Sequence, residues 1–178
     1  MLIFTQNLKK KNMKNIYFLL LIIFSVSCQN NETTQNKENN IDQLFSINCM
    51  TVESYLNDFV NESIDYKKYY NDTCKVRGTY YNSEGPMSVE DRKLAHKEMW
   101  AKYDFSFSDS IVFLPGVNVE TKEVDGSVRF YCNFSVKNTI TEKTVTLPIY
   151  QSYDFDNDGK FIYLQYFGDL TAAISSID

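Results

Sequence analysis

A single histidine, His96, serves all 178 residues, which excludes the paired-histidine HExxH zinc signature. Only six glycines are present, and they form neither a phosphate-cradling loop nor a GxSxG nucleophile turn. Four cysteines stand at positions 28, 49, 74 and 132. The wide spacing of the last three fits no pattern of closely paired zinc ligands, so no metal site is expected. A cysteine–histidine dyad would have to join Cys49, Cys74 or Cys132 to His96, and no local motif supports one. Long apolar runs are also missing. The longest, Ile16–Phe24, falls far short of the roughly 20 residues that a membrane-spanning helix needs. Positive charge is scarce: 18 basic residues face 23 acidic ones, for a net charge of −5. Such a surface repels phosphate backbones, so nucleic acid is not an expected partner.

What is present begins at the N-terminus. Lys9, Lys10, Lys11 and Lys14 precede the apolar run, and Ser25-Val26-Ser27-Cys28 follows it. A basic segment, a short apolar core and small residues before a cut site make residues 1–28 a secretory signal peptide. Met13 opens a more typical start of its own. The ending at Cys28 resembles the lipobox of bacterial lipoproteins, with Ser25 where Leu is usual. The resemblance implies that the Cys28 thiol is lipidated and, after cleavage, becomes the acylated first residue. The partner would be membrane lipid. Gln29 to Asn40 contains no apolar residue, so it reads as a disordered tether able to reach about 40 Å when extended. Gln29 rather than Asp after the lipidated cysteine favours, by resemblance to bacterial sorting rules, the outer membrane of a Gram-negative envelope. An oxidising compartment permits one disulfide, with Cys49–Cys74 the local choice. Equally, Cys132 is a buried strand residue and the other two are free.

From Ile41 onward the chain has the size of one domain. Val52, Tyr55, Leu56, Phe59 and Val60 fall on one helical face, with Thr51 placed to cap it. Tyr66–Tyr81 shows no clear period. A second helix starts at Ser88, where Ser-Val-Glu-Asp has capping-box spacing, and runs to about Tyr103. Beyond it the period becomes two. Val128, Phe130, Cys132, Phe134 and Val136 face one way on a strand, and Arg129, Tyr131, Asn133 and Ser135 the other. Phe105–Leu114, Lys143–Phe155 and Lys160–Phe167 give further aromatic and β-branched strands. Helices followed by strands with short polar turns predict an α+β domain with an antiparallel sheet. Asp154, Asp156, Asp158 and Gly159 fit the first half of a calcium loop, but its twelfth position is Gln165 rather than a bidentate Glu. With strands on both sides, the segment is a hairpin turn.

The order of these elements resembles the SnoaL-like, nuclear transport factor 2-like family. The residues that carry the likeness are Arg129-Phe130-Tyr131, Thr146–Tyr150, the Asp158-Gly159-Lys160 hairpin and Tyr166-Phe167-Gly168-Asp169. It covers roughly Met50 to Ile177. The resemblance implies a cone, a curved antiparallel sheet packed on N-terminal helices, with a cavity at one end. It also implies that a homodimer through the outer sheet face is plausible. Family members include isomerases, dehydratases and epoxide hydrolases alongside pure binding modules, so the fold does not give the activity.

Within that frame His96 carries Trp100 at i+4 and Tyr103 at i+7, a stripe able to line a pocket. Leu94, Ala95 and Met99 offer a competing face, and if they pack inward His96 is solvated. Asp169 sits where many relatives also have Asp and is either a carboxylate at the cone or the N-cap of Leu170–Ile177. Tyr150 and Tyr153 lie on opposite faces of one strand, so at most one points into a given cavity. Ligand contact is therefore expected from Trp100, Tyr103 and Tyr150. The expectation is a membrane-anchored protein that binds a small apolar or aromatic ligand, or a protein, without catalysis and without a cofactor. The alternatives are an isomerase, dehydratase or hydrolase with Asp169 as base and His96 as donor, and an envelope assembly module.

Overall fold

In the computed structural model of the protein, residues 29–79, 81, 83–108 and 110–178 are described, with side chains from Asn40 onward. The signal peptide and the lipidated Cys28 expected from the sequence lie outside the described residues. The chain divides into two compact units, Met1–Asn40 and Ile41–Asp178. The first helix, α1, is printed in the backbone over Gln29–Val60, so the stretch expected as a disordered tether is helical here. Extending a helix already nucleated downstream adds one hydrogen bond per residue fixed, and Glu, Gln and Lys accept that conformation at little cost.

In the second unit, Val52, Tyr55, Leu56 and Phe59 of α1 are buried, as their spacing predicts. Thr51 does not cap the helix. Its hydroxyl donates to the Ile47 carbonyl at 3.2 Å, the back-bond of a threonine inside a helix. The apolar period marks where α1 meets the core, not where it begins. Asn48, one turn earlier and buried, donates from Nδ2 to the Gly126 carbonyl at 2.9 Å. Gly126 has φ of +79°, and a Cβ there would stand 2.7 Å from Leu44, so the contact between helix and strand needs glycine on both counts.

A one-turn helix α2 (Tyr66–Tyr69) leads into β1 (Tyr70–Arg77), and α3 (Val89–Trp100) follows. The strands β2 (Tyr103–Phe107), β3 (Val112–Val117), β4 (Val124–Asn138), β5 (Thr144–Phe155) and β6 (Phe161–Phe167) come next. A last helix, α4 (Leu170–Ile177), closes the chain. The sheet is strongly curled and runs β1-β6-β5-β4-β2, with β3 also paired to β4. The inward set on β4 is buried, with Val128, Phe130 and Val136 fully enclosed. One strand departs from the antiparallel expectation: β1 pairs with β6 in parallel, with a register shift between Tyr70 and Lys75. That irregularity breaks the period-two signal and explains why Tyr66–Tyr81 carried none.

The β5–β6 connection is a turn. Asp156 Oδ1 accepts from the backbone N–H groups of Asp158 and Lys160, both at 2.9 Å, and Oδ2 accepts from Asn71 Nδ2 at 2.8 Å. Gly159 takes φ of +75°, the left-handed conformation the turn needs. The three downstream thiols are free. Burial first pushes Cys74 and Cys132 up to about 12 and Cys49 up to about 11, which keeps them as unreactive thiols.

Candidate ligand-binding site

The site grows from α3. Ser88 opens that helix with the capping box the sequence predicts, its hydroxyl accepting from the Asp91 N–H and the Asp91 carboxylate accepting from the Ser88 N–H. Once the helix is fixed there, Arg92, His96 and Trp100 recur every four residues along one face. This is the face turned inward. Arg92 is 8% exposed and His96 0%, whereas Leu94 is 61% exposed. The apolar face that competed for the core has lost, because the polar stripe meets aromatic rings that accept it. The Arg92 guanidinium lies 4.9 Å from the Tyr166 ring centroid, a cation–π contact. His96 and Trp100 both pack on Phe59, with centroids 5.1 and 5.8 Å away.

His96 is therefore a buried imidazole, not a solvated one. Nδ1 lies 2.7 Å from the Tyr66 hydroxyl. In one tautomer Tyr66 donates to Nδ1 and the ring proton sits on Nε2, and in the other Nδ1 donates to Tyr66. In both, Nε2 is buried without a partner, as is the Trp100 indole Nε1. Burial first, and the nearby Arg92 charge second, hold the imidazole far below its usual pKa, so it stays neutral. Burial also raises the Tyr66 phenol well above its usual value.

The cavity beside this stripe is small, about 40 Å³, room for roughly three water molecules. Tyr55, Leu56 and Phe59 of α1, with Phe107, Phe134 and Ile149 of the sheet, give it apolar walls. Arg92, Gln151 and Tyr166 make its polar corner. Gln151 and Tyr166 stand side by side in the β5–β6 register, and the Gln151 carbonyl accepts from the Tyr153 hydroxyl. Arg92, Met99 and Tyr166 also line a second, outer cleft of about 270 Å³ that includes Glu98, Lys102 and Tyr103. These three side chains form the partition between the two spaces.

The expected site residues fall in different places. Neither His96 nor Asp169 lines the inner cavity. Asp169 is exposed and caps α4, its Oδ1 accepting from the Ala172 N–H at 3.2 Å. Trp100 sits on the inward stripe of α3. Tyr103 belongs to β2 and donates to Asp178 Oδ1 at 2.6 Å, a bond that, with burial second, pushes its phenol up to about 12. Tyr150 lies on the sheet face opposite the buried one, its ring between Tyr131 at 4.9 Å and Phe167 at 5.6 Å. Its neighbour Tyr153 is the inward residue, at 0% exposure. Arg92 and Gln151 were missed, since a charged residue in a helix reads as a solvated one. The signal for Arg92 was its place four residues before His96 on the same stripe. Among the described residues, no group of three or more His, Cys, Asp or Glu side chains gathers to hold a metal ion.

No protein-family profile matches the chain, and no curated protein matches it. Solved structures do. A protein from Xanthomonas campestris named as a polyketide cyclase matches with TM-score 0.59 at 13% identity, over 76% of this chain and 99% of that one. A protein from Shewanella denitrificans named as a SnoaL-like polyketide cyclase matches with TM-score 0.56 at 12% identity, over 74% and 96%. An LEH-like epoxide hydrolase from M. tuberculosis matches with TM-score 0.50 at 14% identity, over 72% and 86%. At such identities the likeness establishes the fold, and the domain has the SnoaL-like, nuclear transport factor 2-like fold that its order of elements resembles.

Proposed function

We propose that this protein is a lipid-anchored component of the cell envelope, held by acylated Cys28 in the outer membrane of a Gram-negative bacterium. Its SnoaL-like domain holds a small apolar or aromatic molecule in the cone without transforming it. One observation carries the reading: the inner cavity has apolar walls, while the two groups suited to acid–base work stand elsewhere. A general acid or base works best with a pKa near the working pH. His96 is locked neutral behind Phe59, and Asp169 is engaged as an exposed helix cap. Small apolar cavities with a few convergent polar groups are ligand sites more often than voids.

Anchoring is tested by fractionation. Among the described residues no helix is long and apolar enough to cross a membrane, so acyl chains on Cys28 would have to hold the chain there. Cys28→Ser is expected to move the protein out of the membrane fraction, and retention there would sink the anchor. Binding is tested on the indole N–H resonance of Trp100, the single tryptophan. Titration with phenol is expected to shift it saturably. A resonance that stays put up to the solubility limit counts against an open cone.

A further inference from the structure

Resting on this binding reading, we propose that the cone takes a small carboxylate. Its charged end lies against the Arg92 guanidinium, and its apolar or aromatic body bridges the inner cavity and the outer cleft past Met99. Arg92 is the only charged side chain among the buried residues described, and it borders both spaces. Taking a guanidinium out of water costs several kcal/mol unless an opposite charge or strong acceptors meet it. No Asp or Glu lines the inner cavity. The Gln151 carbonyl is already taken by Tyr153, so its amide N–H groups are what it turns to a ligand. Guanidinium and amide together make a donor-rich corner of positive sign. A carboxylate answers both, because its two oxygens match the guanidinium fork.

Size points the same way. The inner cavity, at about 40 Å³, is too small for an aromatic ring, whose dry cavity is about 150 Å³ in the best-known engineered case. The outer cleft adds about 270 Å³, and the two joined reach only the low end of the roughly 300–1,000 Å³ typical of ligand pockets. Met99 is the deformable part of the partition, since an unbranched thioether repacks easily. The ligand is therefore compact, with one ring or a short branched chain.

The test compares benzoate with benzamide on the full chain, reading the Trp100 indole N–H. The two probes share shape and differ in charge. Benzoate is expected to bind at least tenfold more tightly. Arg92→Met is expected to abolish that preference while leaving benzamide within about twofold, and Arg92→Lys to retain part of it. Equal affinity for the two probes in the unaltered chain overturns the carboxylate assignment and leaves the binding reading standing. No response to either probe, or to phenol, overturns both. Because the unaltered chain decides between these outcomes, the result stands even where Arg92→Met does not fold.

Discussion

Lowering the pH from 7.5 to 5 is expected to remove about 2 kcal/mol of folding stability through His96 alone. In the unfolded chain its imidazole titrates near 6.5. In the folded protein, burial and the Arg92 charge hold its pKa far lower. Above about pH 6.5 both states carry a neutral ring and the linkage is silent. Below it the unfolded chain binds a proton that the folded chain refuses, so stability falls by about 1.4 kcal/mol per pH unit. Urea unfolding at the two pH values measures the loss. His96→Phe should flatten it while weakening the fold at all pH values, because the 2.7 Å contact with Tyr66 is gone. NMR of the only imidazole in the chain gives the direct check. Its resonances should not move between pH 8 and 5, and a titration near 6.5 would place His96 in solvent.

The largest expected effect of a substitution is at Phe59. Its ring stands within 5.1 to 6.4 Å of His96, Trp100, Phe105, Phe107 and Phe134, and it forms a wall of the inner cavity. Phe59→Ala removes the ring where helix α1, helix α3 and the sheet converge. The expected cost is about 3–5 kcal/mol, as for buried Phe to Ala generally, because five aromatic neighbours cannot collapse into the space. A fall in Tm on the order of 10 °C follows for a domain of this size. Phe59→Leu keeps most of the volume and should cost only about 1–1.5 kcal/mol. A Phe59→Ala protein that melts within a degree or two of the parent would show that this ring does not bind the layers together.

How far the sequence could be read depended on whether the signal was local. The α1 face, the alternation on β4, the Ser88 capping box and the Asp156–Gly159 turn each depend on residues a few positions apart, and each stands where its pattern puts it. Strand β1 was illegible because its partner β6 lies about ninety residues away and a register shift hides its period. The site was the least legible part. Periodicity shows that α3 has two faces, but hydrophobicity chose wrongly between them. Leu94 is exposed and the Arg92–His96–Trp100 stripe is buried because Phe59 and Tyr166 stand ready to receive it. On β5 the same parity puts Tyr150 and Tyr153 on opposite faces, and the curl of the sheet decides which is inside.

By itself, then, the sequence determined the α+β order of elements, the hairpin in place of a calcium loop and the scarcity of metal-binding groups. These rest on local backbone preferences and on composition. The tertiary structure decided that His96 is neutral and enclosed, that Asp169 is a cap, and that a buried arginine borders the cavity. Burial, and with it the charge state of an ionisable side chain, depends on neighbours brought from distant parts of the chain.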